Sequence, residues 1–271
     1  MEEGEQILAS SSKYKLYNKF IEKCDNVDKY SSYCSRMDYL KRWYSDILDI
    51  CYMFAKNFID LHEILSEETD NDERCRYFNF WITDYVRKRL ENQWKNEDHI
   101  KYVLSGLLQV ENAIRAALPN KSCYYDYRSK IDLNLWKERK DLHDYIRNYD
   151  YINEKTNSHG TFCTLYAKYF VYINELHRKY KNECCNNNYT EKCPNFMDLS
   201  HFCTSDIFNN KLKCDENKGI IAASNVEEEH QPIDQQLKGD GSHLATSAFN
   251  YQNDTEGDGI TNNTDDYAKL G

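Results

Sequence analysis

Glycine and proline are almost absent from the middle of this chain, and their scarcity constrains the fold more than any other feature. Residues 24–214 contain only two glycines, Gly106 and Gly160, and two prolines, Pro119 and Pro194. Sheet proteins need many tight turns, and tight turns favour these two residue types. A stretch of this length with so few of them predicts long helices. The chain has 271 residues, which is enough for a hydrophobic core of one or two domains.

The positions of the apolar residues support the same conclusion. They recur in steps of three and four, which marks one buried face of a helix. We expect Pro119 to end one of these helices and Thr161 to cap another. The predicted helices cover residues 14–24, 37–65, 75–90, 98–118, 131–154 and 161–181. The fold class that follows is all-α, a bundle of long helices.

Eleven cysteines are the strongest compositional signal. At this density they predict disulfides and an oxidising compartment. Because the number is odd, at least one cysteine has no partner within the chain. Cys51 is our candidate for the free thiol, since it lies in the middle of a predicted helix on its apolar face, where a reduced thiol packs as a small hydrophobe. The candidates for disulfide bonds are the remaining ten: Cys24, Cys34, Cys75, Cys123, Cys163, Cys184, Cys185, Cys193, Cys203 and Cys214.

Residues 184–214 form a short cysteine-rich subregion with a weak hydrophobic pattern, so we expect disulfides to hold it to the preceding helix through Cys184 or Cys185. These two should not bond to each other, because a vicinal bridge strains the intervening peptide. Cys24 and Cys34 flank a polar break, and could pair with each other or with Cys75. The alternative, a zinc site that includes His201, lacks the close ligand pair typical of structural zinc, and we predict no metal.

Charge divides the chain into two parts. The formal net charge is −10, and residues 222–271 hold ten acids and two bases, a net of −8, which leaves about −2 for residues 1–221. A nearly neutral body with an acidic tail argues against nucleic acid as a partner. The sequence thus divides into a helical body over 1–221, which its cysteines favour as an ectodomain, and a tail over 222–271. We predict that the tail is a disordered linker, because it is acidic, free of cysteine and rich in Gly, Asn, Asp, Thr and Gln. The stretch from Asp254 to Gly259 resembles the start of a calcium loop but lacks the flanking helices and the closing Glu.

The sequence contains no motif for catalysis or for a cofactor. It has no glycine-rich phosphate loop and no nucleophile elbow, and its histidines are scattered. We therefore predict a protein that is not an enzyme and needs no cofactor. No stretch reaches the ~18–20 apolar residues of a membrane span, and the first residues lack the pattern of an ordinary signal peptide.

Three segments, in order and spacing, resemble the variant interspersed-repeat (pir/vir) family of malaria-parasite surface antigens. The first is the run Cys75-Arg-Tyr-Phe-Asn-Phe-Trp-Ile-Thr-Asp-Tyr85, in which a cysteine precedes an aromatic-Asn-aromatic-Trp helix. The second spans 142–152 and the third 163–173, followed by Tyr180 and the Cys184-Cys185 pair. The resemblance covers roughly residues 14–214. The residues that carry it best are Cys75, Asn79, Trp81, Tyr145, Tyr149, Cys163 and Tyr166.

The resemblance implies a non-catalytic variant antigen that binds a host cell-surface receptor, is recognised by antibody, and contributes to adhesion and immune evasion by antigenic variation. It implies export to the surface or membrane of the infected red cell, or its vicinity. Members commonly lack an ordinary signal peptide, which agrees with the first residues of this sequence. Many members carry a membrane helix after a variable linker, so we expect an anchor to come from a further C-terminal region. The alternative is an intracellular helical scaffold, exported into or retained within the infected cell.

Overall fold

The structure, a computed structural model, describes residues 2–91, 97–127, 132–158, 162–185, 193, 199–204 and 206–208. Every regular element in these ranges is a helix, and none is a strand. The predicted all-α class with disulfide bonds is confirmed. The predicted tail at 222–271 and the predicted cap Thr161 lie outside the described residues.

The helices range from one turn to six. None of those described is both long and apolar enough to cross a membrane. Short 3₁₀ helices span Tyr14–Ile21, Ser35–Leu40 and Asp206–Phe208. The α-helices are α1 (Glu2–Leu8), α2 (Asp28–Cys34), α3 (Ile47–Ile59), α4 (Leu61–Ile64), α5 (Asn71–Glu91), α6 (Glu97–Ala117), α7 (Leu133–Arg147), α8 (Tyr149–Ser158), α9 (Phe162–Cys184) and α10 (Leu199–Thr204).

Short acidic side chains start two of the long helices. The carboxylate of Asp70 accepts the backbone N–H of Asp72 at the start of α5, at 2.9 Å. Asp132 accepts the N–H groups of Asn134 and Leu135 at the start of α7. Each cap satisfies backbone donors that have no partner within the helix. α6 ends at Ala117, two residues before the proline that was expected to end it.

The structure corrects the length of three predicted helices. The helix predicted over 37–65 is interrupted at 41–46, and a second break at Asp60 separates α3 from α4. The helix predicted over 131–154 is divided at Asn148 into α7 and α8. The segment predicted over 14–24 is a 3₁₀ helix that ends at Ile21, and α1 was not predicted at all.

Polar contacts with other elements explain the breaks at Asp60 and Asn148. Asp60 accepts hydrogen bonds from Tyr30, at 2.8 Å, and from Lys29. Asn148 accepts a hydrogen bond from the Ser11 hydroxyl and donates back to the carbonyl of Asp144. Short polar side chains compete with helical hydrogen bonds and favour helix ends. The apolar spacing continues across each break, so the spacing alone did not predict the break.

The apolar side chains form two core clusters. The first contains Phe54 and Phe58 of α3, Phe78 and Trp81 of α5, and residues of α2, α6 and both N-terminal 3₁₀ helices. The second cluster gathers α1, the end of α7, α8, α9 and α10. α5 and α7 contact each other and link the two clusters.

Candidate binding surface

Four disulfides join described cysteines, and they correct two predictions. Cys51 was expected to be a free thiol, but it bonds to Cys34. Cys24 was a disulfide candidate, expected to pair with Cys34 or Cys75, but it is a free thiol. The four pairs are Cys34–Cys51, Cys75–Cys123, Cys184–Cys193 and Cys185–Cys203.

The reason for both corrections is the packing of α2 on α3. Cys51 is fully buried, as its position on the apolar face indicated. Its buried face meets Cys34 at the end of α2, because the following 3₁₀ helix turns the chain back towards α3. Helical spacing predicts that a residue is buried, but it does not predict which residue of another element packs against it. Cys24 is left without a cysteine partner, and burial raises the pKa of its thiol.

The C-terminal bridges hold the cysteine-rich subregion to the end of α9. Cys184 and Cys185 bond to Cys193 and Cys203, and not to each other. Sulfur atoms in disulfides are not available as zinc ligands. In the described part of the chain, no group of His, Cys, Asp and Glu side chains is placed to hold a metal ion. Cys214 and the side chain of Cys163 lie outside the described residues.

The first family-like segment holds a loop in place. The amide of Asn79 donates to the carbonyl of Tyr124 at 2.9 Å and to that of Cys75 at 3.0 Å. Its oxygen accepts the backbone N–H of Asp126 at 2.8 Å. The Cys75–Cys123 disulfide fixes the same stretch. Trp81 lies buried in the first core cluster, against Phe20 and Tyr85. We call residues 118–127 the Tyr124 loop.

Arg115 of α6 fixes the loop from the other side. Its guanidinium donates to the carbonyls of Lys121 and Cys123 and lies 3.5 Å from the centre of the Tyr124 ring. Tyr124 itself is 67% exposed, more than any other large hydrophobic residue in the described part of the chain. The loop therefore presents an aromatic side chain on a backbone that is held at several points.

Tyr145, Tyr149 and Tyr166 lie in or against the second core cluster. The Tyr145 hydroxyl donates to the carbonyl of Ile207 at 3.0 Å, and its ring packs against Tyr149. Tyr166 is 2% exposed and stacks on Phe170. These residues stabilise the fold, as Asn79 and Trp81 do. Among the described side chains, the family-like residues therefore support the structure and do not form a contact surface.

A buried ionic cluster joins α5 to α7. His143 lies between two carboxylates, with Nε2 2.5 Å from Glu73 and Nδ1 3.3 Å from Asp144. Asp144 also accepts hydrogen bonds from Lys140, at 2.6 Å, and from the Tyr17 hydroxyl, at 2.8 Å. Buried charges need partners of this kind, because the cost of removing an unpaired charge from water is large.

The cluster resembles an acid–base site in its residue types, but its geometry is that of a structural support. Burial alone would raise the pKa of Glu73, but the hydrogen bond and charge of His143, with the charge of Arg147, lower it to about 2. Burial alone would lower the pKa of His143, but hydrogen bonds to Asp144 and Glu73 raise it. At most 6% of Glu73, Lys140, His143 or Asp144 is exposed, so a substrate has no access to them.

Exposed aromatic residues gather at one surface near the start of α6. Tyr39, Trp43 and Tyr102 are 40%, 42% and 56% exposed. The rings of Tyr39 and Tyr102 meet edge to face at 6.3 Å, and the Arg42 guanidinium lies 3.7 Å from the centre of the Trp43 ring. We call these four residues the aromatic patch.

A cavity of about 320 Å³ lies beside the aromatic patch, within the size range of small-ligand sites. Polar groups form part of its wall. The Tyr44 hydroxyl lies 2.6 Å from Nδ1 of His99, which is next to Asp98 in the first turn of α6. The lining residues are Trp43, Tyr44, Asp98, His99 and Tyr102.

Sequence reasoning did not find the aromatic patch, although a signal was present. Leu40, Tyr44 and Ile47 follow the spacing of the buried face, whereas Tyr39 and Trp43 fall beside it. A large aromatic residue off the periodic face must be either exposed or packed against another element. Only the structure shows that Tyr102 of α6 lies on the same surface.

These features define the chain as an all-α, disulfide-bonded protein with an exposed aromatic surface. The family model described as Plasmodium vivax Vir protein matches residues 11–267. The chain belongs to this family, whose members are associated with infected cells, and membership suggests a variant surface antigen. Among curated proteins and among solved structures, none matches the chain.

Proposed function

We propose that this chain is a non-catalytic variant antigen ectodomain that binds a host cell-surface receptor and is a target of host antibody. The observation that carries the proposal is the aromatic patch. Trp, Tyr and Arg dominate the binding energy of protein interfaces, and exposed aromatic residues that cluster mark interaction sites. Tyr39, Arg42, Trp43 and Tyr102 are all of these three types and lie on one surface.

The patch is also partly preorganised. Arg42 is held against the Trp43 ring, and Tyr39 and Tyr102 hold each other. Side chains that are already ordered lose less conformational entropy when a partner binds. The Cys34–Cys51 disulfide fixes the helices α2 and α3 on either side of the segment that carries Tyr39, Arg42 and Trp43.

The Tyr124 loop supports a role in antigenic variation. Its backbone is held by Cys75, Asn79 and Arg115, while the Tyr124 side chain is exposed. Surface substitutions away from buried features usually change stability by less than about 0.5 kcal/mol. A loop held by buried groups tolerates changes in its exposed side chains, and such changes alter what an antibody recognises.

A matched pair of variants tests the binding proposal. Full-length protein is applied to host endothelial cells, leukocytes and red cells, and bound protein is measured by flow cytometry. We expect the Trp43→Ala/Tyr102→Ala variant to lose roughly 30-fold in affinity, the equivalent of about 2 kcal/mol for an interface hot spot. Tyr124→Ala, which removes an exposed tyrosine outside the patch, is the control. Equal binding by wild type and the patch variant would contradict the proposal.

Display on the infected red cell is part of the same proposal. Protease treatment of intact infected cells should remove the epitopes of an antibody raised against the folded chain. Protection of those epitopes until the cells are permeabilised would support the alternative, a helical scaffold inside the infected cell.

A further inference from the structure

The charge around the aromatic patch indicates what kind of partner it binds. Lys41, next to Arg42 in the chain, is neutralised by Asp38 at 2.7 Å, and Lys101, next to Tyr102, by Glu97 at 3.6 Å. Arg89 pairs with Asp46, three residues after Trp43, at 2.6 Å. Arg42 differs from them, because no carboxylate among the described residues forms an ion pair with it. Its charge is therefore available for an anion from outside.

The orientation of Arg42 narrows the choice of anion. A guanidinium stacked on an aromatic ring covers one of its faces and leaves the N–H groups at its edge able to donate. Those donors match the two oxygens of a carboxylate, which they bind in a bidentate manner. With its guanidinium carbon over the Trp43 ring, 3.7 Å from the ring centre, Arg42 thus forms a prepared carboxylate site next to an exposed indole.

The size of the cavity is the observation that favours a sugar ring. The cavity of about 320 Å³ lies at the lower end of the range for small-ligand sites and suits a terminal sugar ring. Trp43 and Tyr102 provide faces for the C–H side of such a ring, and Asp98, His99 and Tyr44 provide polar groups for its hydroxyls.

We propose that the aromatic patch and its cavity bind a terminal sugar that carries a carboxylate, on a glycan of the host cell. This inference rests on the proposed function and names the chemistry of the ligand at the same site. Arg42 binds the carboxylate, Trp43 and Tyr102 stack on the ring, and the first turn of α6 contacts the hydroxyls.

The experiment compares a carboxylate-bearing glycan with its neutral counterpart. Sialyllactose and lactose are titrated into the full-length protein, and binding is followed by saturation-transfer NMR and calorimetry. We expect saturable binding of sialyllactose and at least tenfold weaker binding of lactose. Arg42→Gln should lose at least tenfold, and Arg42→Lys should lose part of the affinity because an ammonium cannot form the bidentate pair. Arg36→Gln, at an exposed arginine without a ring partner, is the matched control.

Three results would overturn the inference: equal affinity for the two sugars, an Arg42→Gln variant within twofold of wild type, or binding of an acidic peptide in place of the glycan.

Sialidase treatment of host cells separates this inference from the proposed function. If the protein binds cells equally well before and after sialidase, and does not bind free sialyllactose, the receptor function stands and the sugar is wrong. If free sialyllactose binds through Arg42 but no host cell is bound, the ligand chemistry stands and the receptor function is wrong.

Discussion

The side chain of Asn79 satisfies backbone groups in two parts of the chain at once. It pairs with the carbonyl of Tyr124 and the N–H of Asp126, both in the Tyr124 loop. Asn79→Ala leaves these part-buried groups without their partner. A fully buried group loses roughly 1–3 kcal/mol in this way, and partial access of water reduces the loss. We expect the free energy of unfolding in urea to fall by about 2 kcal/mol. Tyr124→Ala removes only an exposed ring stacked on Arg115, and should cost about 1 kcal/mol or less. Equal losses in the two variants would show that the loop is not held as described.

The ionic cluster around His143 stabilises the packing of α5 against α7. Because its members titrate, the free energy of unfolding should depend on pH in a defined way. The pKa of Glu73 is lowered to about 2, so its contribution is present above about pH 4.5 and is lost as the pH falls towards 2. The pKa of His143 is raised, so its contribution is present below about pH 6.5 and is lost as the pH rises through the folded value. His143→Gln should cost about 3–5 kcal/mol between these two limits, because it leaves buried carboxylates without their cation.

Urea unfolding of wild type and His143→Gln from pH 3 to pH 8 measures this dependence. We expect the difference in unfolding free energy to be largest between about pH 4.5 and 6.5 and to shrink on either side. His62→Gln, at an exposed histidine of α4, should match wild type throughout. A difference that grows above pH 6.5 would be incompatible with a charged His143 in the folded state.

The elements also show what could be predicted from sequence. The scarcity of glycine and proline predicted the helical class correctly, and Pro119 predicted the end of α6. Both predictions succeeded because these residues act on the backbone at their own position in the chain. The breaks at Asp60 and Asn148 could not be predicted, since each depends on a partner distant in sequence, Tyr30 for one and Ser11 for the other. The aromatic patch was missed for the same reason.

For the whole molecule, the number of free thiols distinguishes the two compartments that the sequence allows. Eight of the eleven cysteines form the four described disulfides, which leaves Cys24, Cys163 and Cys214. Because disulfides consume thiols in pairs and eleven is odd, the unfolded, unreduced protein should titrate with one or three thiols. Native Cys24 should react slowly, since it is 8% exposed and its pKa is raised. A titre near eleven would indicate a reducing compartment and the scaffold alternative.

The order of the disulfides along the chain has a consequence for biosynthesis. The bridges Cys34–Cys51 and Cys75–Cys123 follow one another without overlap, and their partners are 17 and 48 residues apart. Each can close soon after its second cysteine enters an oxidising compartment, before the next pair has been translated. The two described bridges at the end of α9 are interleaved, because the neighbours Cys184 and Cys185 bond to Cys193 and Cys203, and either could form a bond with the other's partner. Oxidative folding should therefore proceed from the N-terminus, and isomerase-dependent correction should be concentrated at the end of α9.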